Sequence, residues 1–132
     1  MLVYLFRHGD AVPAEVDPKR PLSARGRNEV EGTARELMAE GAKIAEIWHS
    51  GKLRAQQTAQ IIARDLGVKV ILEKKGLKPD DDPATIADLL RQTDKTILIA
   101  GHLPFIPKLA FLLQPELGRV ELETGGVVRC KL

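Results

Sequence analysis

Three histidines occur in the 132 residues, and each borders a small residue: Arg7-His8-Gly9, His49-Ser50-Gly51 and Gly101-His102. Arg54 follows shortly after the second. Imidazole can serve as a nucleophile, an acid or a base near neutral pH. Guanidinium forks match phosphate oxygens two at a time, and glycine beside a histidine lets backbone approach a ligand closely. The set therefore suggests phosphoryl chemistry. Taken one at a time, these residues have plainer explanations. A lone histidine at a strand end is commonly a packing residue, and His49, beside Trp48, is read that way. Arg54 alone would be a solvated first-turn side chain. Zinc is the competing use of two histidines. It asks for a third protein ligand, no H-x-x-x-H or cysteine cluster is present, and Arg7 and Arg54 would repel a dication. No metal and no cofactor are expected.

These residues can act together only if the fold gathers them. Leu2-Val3-Tyr4-Leu5-Phe6 is continuously apolar, as in a strand buried on both faces. Residues 9–22, with Gly9, Pro13, Pro18 and Pro21, read as a long loop. Ser23 is an N-cap for a helix running to about Glu40, with Val30, Ala34, Leu37 and Met38 on one face and Gly41 as the stop. Ile44–Trp48 is a second strand. Ala55, Ala59, Ile62 and Leu66 then repeat at helical spacing up to Gly67. Val68–Leu72 is a third strand, residues 73–82 a polar loop, and Asp82-Pro83 the cap of a third helix carrying Ile86, Ala87 and Leu90. Thr96–Ala100 is strand four. Pro104 opens a fourth helix that tolerates Pro107 in its first turn, and residues 119–123 and 127–131 read as two final strands about Gly125-Gly126. Strands alternating with helices imply an α/β layered domain with a mostly parallel sheet. Such sheets bind ligands beyond the carboxyl ends of their strands. His8, His49 and His102 all leave predicted strand ends, so one rim should collect them.

Composition sets the frame. One domain is expected to fill residues 1–132, a length that buries roughly 68% of its unfolded surface. A single cysteine, Cys130, excludes an intrachain disulfide framework. The longest apolar runs fall far short of the ~20 residues that span a bilayer, and Arg7 and His8 interrupt the first one, so neither a signal peptide nor a membrane span is expected. A net charge of +2 is too small to argue for nucleic acid. The expectation is a cytoplasmic monomer.

Three blocks carry a resemblance. Leu5-Phe6-Arg7-His8-Gly9-Asp10-Ala11 resembles the R-H-G signature of the histidine phosphatase superfamily, which includes phosphoglycerate mutases and acid phosphatases. Ser50 to Ala59 resembles its S-x-x-x-R-A-x-Q-T block, and Gly101-His102-Leu103-Pro104 its G-H-x-P block. The short chain and Arg20-Pro21-Leu22-Ser23 resemble the SixA-type phosphohistidine phosphatases. The likeness runs from residue 2 to about 113. It implies a phosphoglycerate mutase-like, three-layer α/β/α sandwich with a six-stranded, mostly parallel mixed sheet. It also implies that His8 is a nucleophile passing through a covalent phosphohistidine, that Arg7, Arg54 and His102 form the phosphate pocket, and that Arg20 reaches the same pocket. His8 would attack as the neutral imidazole, a form that neighbouring arginine charges favour, with its other ring nitrogen held by an acceptor.

One departure from the larger relatives bears on substrate. They carry a glutamate after strand three that protonates a leaving alcohol. Here the stretch is Lys75-Gly76-Leu77-Lys78-Pro79-Asp80. Asp80 and Asp17 are candidate acids, although a run such as Asp80-Asp81-Asp82 is ordinarily a solvated loop with a helix cap. Imidazole leaves phosphorus more readily than an alkoxide, so a weak acid is better tolerated with phosphohistidine. The leading expectation is a phosphatase acting on a histidine-phosphorylated protein, such as a histidine phosphotransfer domain or a phosphocarrier. The alternatives are a small-molecule phosphomonoesterase and a non-catalytic phosphate-binding module. Lys19, Arg20, Arg25 and Arg27 form a local basic patch that would either steer acidic substrates or lie idle as a solvated face.

Overall fold

A computed structural model describes residues 1–132. Its elements run β1 (Leu2–Arg7), α1 (Ala24–Ala39), β2 (Glu46–His49), α2 (Leu53–Leu66), β3 (Val70–Glu73), α3 (Ala84–Gln92), β4 (Ile97–Gly101), α4 (Phe105–Leu113), a 3-10 turn (Pro115–Leu117) and β5 (Val127–Lys131). The sheet order is β3-β2-β4-β1-β5. Only β5, paired to β1, is antiparallel.

The continuous apolar runs sit where both faces of the sheet are covered. Within β1, Tyr4 and Phe6 point to one face and Val3 and Leu5 to the other, the period of two that a pleated strand requires. Tyr4 and Phe6 pack with Val30 and Leu37 of α1 and Ala59 and Ile62 of α2. Val3 and Leu5 pack with Ile86 and Leu90 of α3 and with Phe105 and Leu109 of α4. The chain is thus three layers, with two helices on each side of the sheet. Cys130 is buried in the second of these cores, and burial pushes its thiol up to about 11.

Local chemistry explains the boundaries. The Ser23 hydroxyl caps α1 by accepting from Gly26 N at 3.0 Å, and Gly67 ends α2 in the left-handed conformation at φ 71°. Asp82 Oδ1 accepts from Ala84 N at 2.9 Å, capping α3 from two residues ahead.

The sheet has five strands, not six. Residues 119–123 alternate charged and apolar as a strand would, yet they pair with no neighbour. Their alternation has another cause: Val120 and Leu122 pack on the α3/α4 core, while Arg119, Glu121 and Glu123 face out. The Leu122 carbonyl, which a ladder would have used, accepts instead from Arg7 Nη1 at 2.8 Å. The 73–82 loop is also less polar in effect than in composition, because Leu77 is completely buried against the α3/α4 core and anchors it.

Candidate active site

β1 and β4 are adjacent and parallel, with Arg7 opposite Gly101. Both strands end there, and His8 N donates to Gly101 O at 2.9 Å. The next residue of each strand is therefore a histidine at the same rim, and the ring centroids of His8 and His102 lie 5.2 Å apart. β2 pairs with the other side of β4 and delivers Ser50, whose hydroxyl lies 2.7 Å from His102 Nε2. A cavity of about 280 Å³ opens at this edge, lined by Arg7, His8, Arg20, Arg54 and His102 with Asp10, Ala11, Pro79, Leu103 and Thr124.

His8 is oriented by its own neighbour. Its Nδ1 lies 2.7 Å from Gly9 O. A carbonyl only accepts, so Nδ1 carries the proton and Nε2 keeps the lone pair. Burial pushes the imidazole down to about 4; the charges of Arg54, Arg7 and Arg20 push the same way, and the Gly9 bond opposes them. The arginines do favour the neutral ring, but desolvation is the larger cause. His102 is lowered further, to about 3, by burial first and then by His8 and Arg54. Both rings are therefore neutral near pH 7.

The donors around them are held from behind. Arg7 spends Nη1 on Leu122 O. Arg54, in the first turn of α2, is half-buried, and burial and Arg20 both lower its pKa, the mark of two cations turned toward one space. Arg20 occupies a left-handed conformation, φ 49°, rare for a residue with a side chain. The loop that carries it is closed by an Ala11–Leu22 bridge and by Val12 N donating to Pro21 O, and its Nε donates to Val12 O at 3.2 Å. The side-chain nitrogens and oxygens that are buried without a hydrogen-bond partner number three: Arg7 Nε, Arg54 Nε and His102 Nδ1. All three belong to residues lining this cavity. Buried polar groups are otherwise paired in folded proteins, so three unpaired nitrogens at one cavity suit an oxyanion with three oxygens to offer.

A family model of the histidine phosphatase superfamily (branch 1) matches residues 3–77, more than half of the chain. The chain belongs to the histidine phosphatase superfamily. Among members of this superfamily, it is 30% identical over 121 residues to the phosphohistidine phosphatase SixA of Escherichia coli K12, a match covering 87% of this chain and 75% of that protein. The solved structure of the protein histidine phosphatase SixA complexed with tungstate superposes with a TM-score of 0.92 at 27% identity, over 100% of this chain and 88% of that one. A SixA structure from Agrobacterium tumefaciens, at 24% identity, shares the fold with a TM-score of 0.80 over 97% of this chain and 89% of that one. As a SixA-type histidine phosphatase the chain is a phosphatase, with a phosphoglycerate mutase-like fold.

Five of the residues singled out from sequence, Arg7, His8, Arg20, Arg54 and His102, line the one cavity. Asp17 and Asp80 do not. Asp80 is exposed on its loop, and Asp17 accepts from Lys19 N at 3.0 Å. His49 is buried behind the rim, where its Nδ1 accepts from Gly51 N at 3.0 Å. Of the basic patch only Arg20 faces the cavity; Arg25 pairs with Glu29 across one helical turn at 3.3 Å, and Arg27 is exposed. Sequence reasoning passed over several supporting residues. Thr58 Oγ1 accepts from Gly9 N at 3.1 Å and donates to Arg54 O at 2.8 Å, joining the turn after β1 that carries His8 to the first turn of α2 that carries Arg54. Thr58 ends the R-A-x-Q-T block, which is the signal that could have found it. Asp10 is the one carboxylate lining the cavity, and its Oδ2 accepts from the Ser23 hydroxyl at 2.7 Å.

Proposed function

We propose that the chain is a phosphohistidine phosphatase, acting on a histidine-phosphorylated protein through a covalent intermediate on His8. The observation that carries this is the His8 ring itself: Nδ1 is bonded to Gly9 O, Nε2 is free, and the residues bearing the three unpaired nitrogens, Arg7, Arg54 and His102, line the same cavity. His8 Nε2 attacks phosphorus as the bond from phosphorus to the substrate imidazole breaks. The phosphoryl group spreads charge over its three equatorial oxygens, which Arg7, Arg54 and His102 receive and Arg20 covers. The departing imidazole takes up a proton from solvent, water then attacks phosphorus as its bond to His8 Nε2 breaks, and phosphate leaves with His8 restored. The charge of the arginines takes the part that a metal ion plays elsewhere.

Phosphohistidine is favoured over alcohol esters because neither Asp17 nor Asp80 reaches the cavity. A departing alkoxide needs a proton in the transition state, a service worth ~10²–10⁴-fold. Asp10 supports the second reading, a small-molecule phosphomonoesterase, since a carboxyl group does line the cavity. A side-by-side assay decides. We expect kcat/KM for a phosphohistidine-bearing protein to exceed that for sugar phosphates or phosphoglycerate by at least ~10²-fold. Equal efficiency on a sugar phosphate, removed by Asp10→Asn, would establish the esterase instead.

A further inference from the structure

His102 is 1% exposed, and its two ring nitrogens differ in their surroundings. Nε2 lies 2.7 Å from Ser50 Oγ, whereas Nδ1 is buried with no partner. The ring is neutral near pH 7, because burial depresses its pKa to about 3, so one nitrogen carries the proton and the other a lone pair. Which is which decides what the residue can do. A proton on Nδ1 makes the unpaired nitrogen a donor. A proton on Nε2 leaves a bare lone pair there, which repels an oxyanion. Ser50 is buried too, and its oxygen already accepts from Lys52 N at 3.3 Å. His102 Nε2 is then the one acceptor for its hydroxyl proton. If Nε2 instead donated to Ser50, that buried hydroxyl proton would have no acceptor, an arrangement that folded proteins avoid.

We propose that Ser50 is a positioning residue of the reaction: by donating to His102 Nε2 it fixes the imidazole proton on Nδ1, so that Nδ1 can donate to a phosphoryl oxygen. The inference rests on the place given to His102 in the reaction proposed above. The hydrogen bond made at one ring nitrogen sets the proton at the other. Ser50 exchanges nothing with the substrate, and its proton stays on oxygen throughout. The turn that carries it is pinned from behind. His49 Nδ1 accepts from Gly51 N at 3.0 Å, closing the backbone around Ser50. Gly51 takes φ 90°, and a Cβ there would stand 2.8 Å from the carboxyl carbon of Glu73, the residue opposite His49 in the β2–β3 ladder. The hydroxyl is thus presented to His102 from a turn braced by two strands. His49, which lines no part of the cavity, acquires a use as the support of that turn.

The tautomer is read without substrate. Long-range proton–nitrogen NMR spectra of the histidine-labelled chain at pH 7 should show the His102 proton on Nδ1, the signal being assigned by its loss in His102→Ala. In Ser50→Ala the ring should populate both tautomers, and Ser50→Thr, which keeps the hydroxyl, should restore the proton to Nδ1. Wild-type His102 protonated on Nε2, or a Ser50→Ala spectrum identical to wild type, would overturn the proposal. The kinetic arm uses a phosphohistidine-bearing protein. Ser50→Ala should lower kcat at least ~10-fold, part of the ~10²–10³ that one preorganised donor supplies, with KM within about twofold of wild type. In a His102→Ala background the same substitution should cost less than about twofold more, because Ser50 acts only through that ring. Equal losses in both backgrounds would make Ser50 a packing residue of its turn and refute the assignment. Wild type with Nδ1 protonated that cleaves no phosphohistidine would refute the function proposed above while supporting the hydrogen bond assigned to Ser50.

Discussion

Gly26 lies directly against Asp10: a Cβ on Gly26 would stand 2.0 Å from the Asp10 carbonyl oxygen and 2.8 Å from its nitrogen. The first turn of α1 thus presses on the backbone just after the nucleophile, and Ser23 reinforces the contact from the N-cap.

Gly26→Ala follows from this contact with a sign opposite to intuition. In an open helix, replacing glycine by alanine gains about 1 kcal/mol. Here the methyl group meets backbone, which cannot swing aside, so α1 or the Gly9–Asp10 loop must shift. We expect a lower Tm and reduced turnover. A thermal melt showing a raised Tm would refute the contact.

The His8 tautomer predicts which nitrogen takes the phosphoryl group. Because Nδ1 donates to Gly9 O, a trapped phosphoenzyme should carry phosphate on Nε2, acid-labile and alkali-stable, and His8→Ala should carry none. Heteronuclear NMR of the trapped enzyme distinguishes the two nitrogens. Phosphate on Nδ1, or label persisting in His8→Ala, would contradict the arrangement.

Arg54→Ala removes a half-buried donor whose backbone Thr58 ties to Gly9. Preorganised donors of this kind contribute about 2.7–4 kcal/mol to the transition state, or 10²–10³ in kcat. Thr58→Val keeps the shape but leaves Gly9 N without its acceptor, at about 1–3 kcal/mol of stability. Kinetics and chemical denaturation measure the two. A loss of tenfold or less in Arg54→Ala would place that residue outside the reaction.

The lowered histidines fix the pH response. Folded His8 titrates near 4 against an ordinary 6.5, so between those values the unfolded chain binds more protons. Stability should therefore rise with pH across that window and fall on acidification, at ~1.4 kcal/mol for each unit by which the pKa is displaced. An NMR titration of the His8 Cε1–H signal should have its midpoint near 4, and His8→Ala should flatten the dependence of Tm on pH. A midpoint near 6.5 would mean that the ring is solvated.

Much of this site was legible in the sequence because strand ends and glycines are local signals. Arg7-His8-Gly9 and Gly101-His102 could be placed on one rim once β1 and β4 were read as parallel strands. The α1 cap at Ser23 and the α2 stop at Gly67 were equally local. What could not be read depended on contacts distant in sequence. The 119–123 segment has a strand's alternation, and only the packing of Val120 and Leu122 on the helices shows that it serves as a brace. Acidic residues near the cavity could be named from sequence, but Asp17 and Asp80 turn away, whereas Asp10 faces in because Ser23 and Gly26 hold its loop.

β5 pairs with β1 along its whole length, from Leu2 opposite Lys131 to Phe6 opposite Val127. The segment just before β5 holds Arg7 on three sides: Arg7 N donates to Gly126 O, Gly125 N donates to Arg7 O, and Leu122 O receives the guanidinium. The residue next to the nucleophile is thus seated by residues more than a hundred positions away. Closing so long a loop is slow relative to local helix formation. β1 has no partner on either edge until β4 is made, and its other edge stays open until β5 follows, so we expect the phosphate pocket to be assembled in a late step. Catalytic competence therefore reports on completed folding, and a chain that lacks residues 122–131 should retain every residue of the reaction and still be inert.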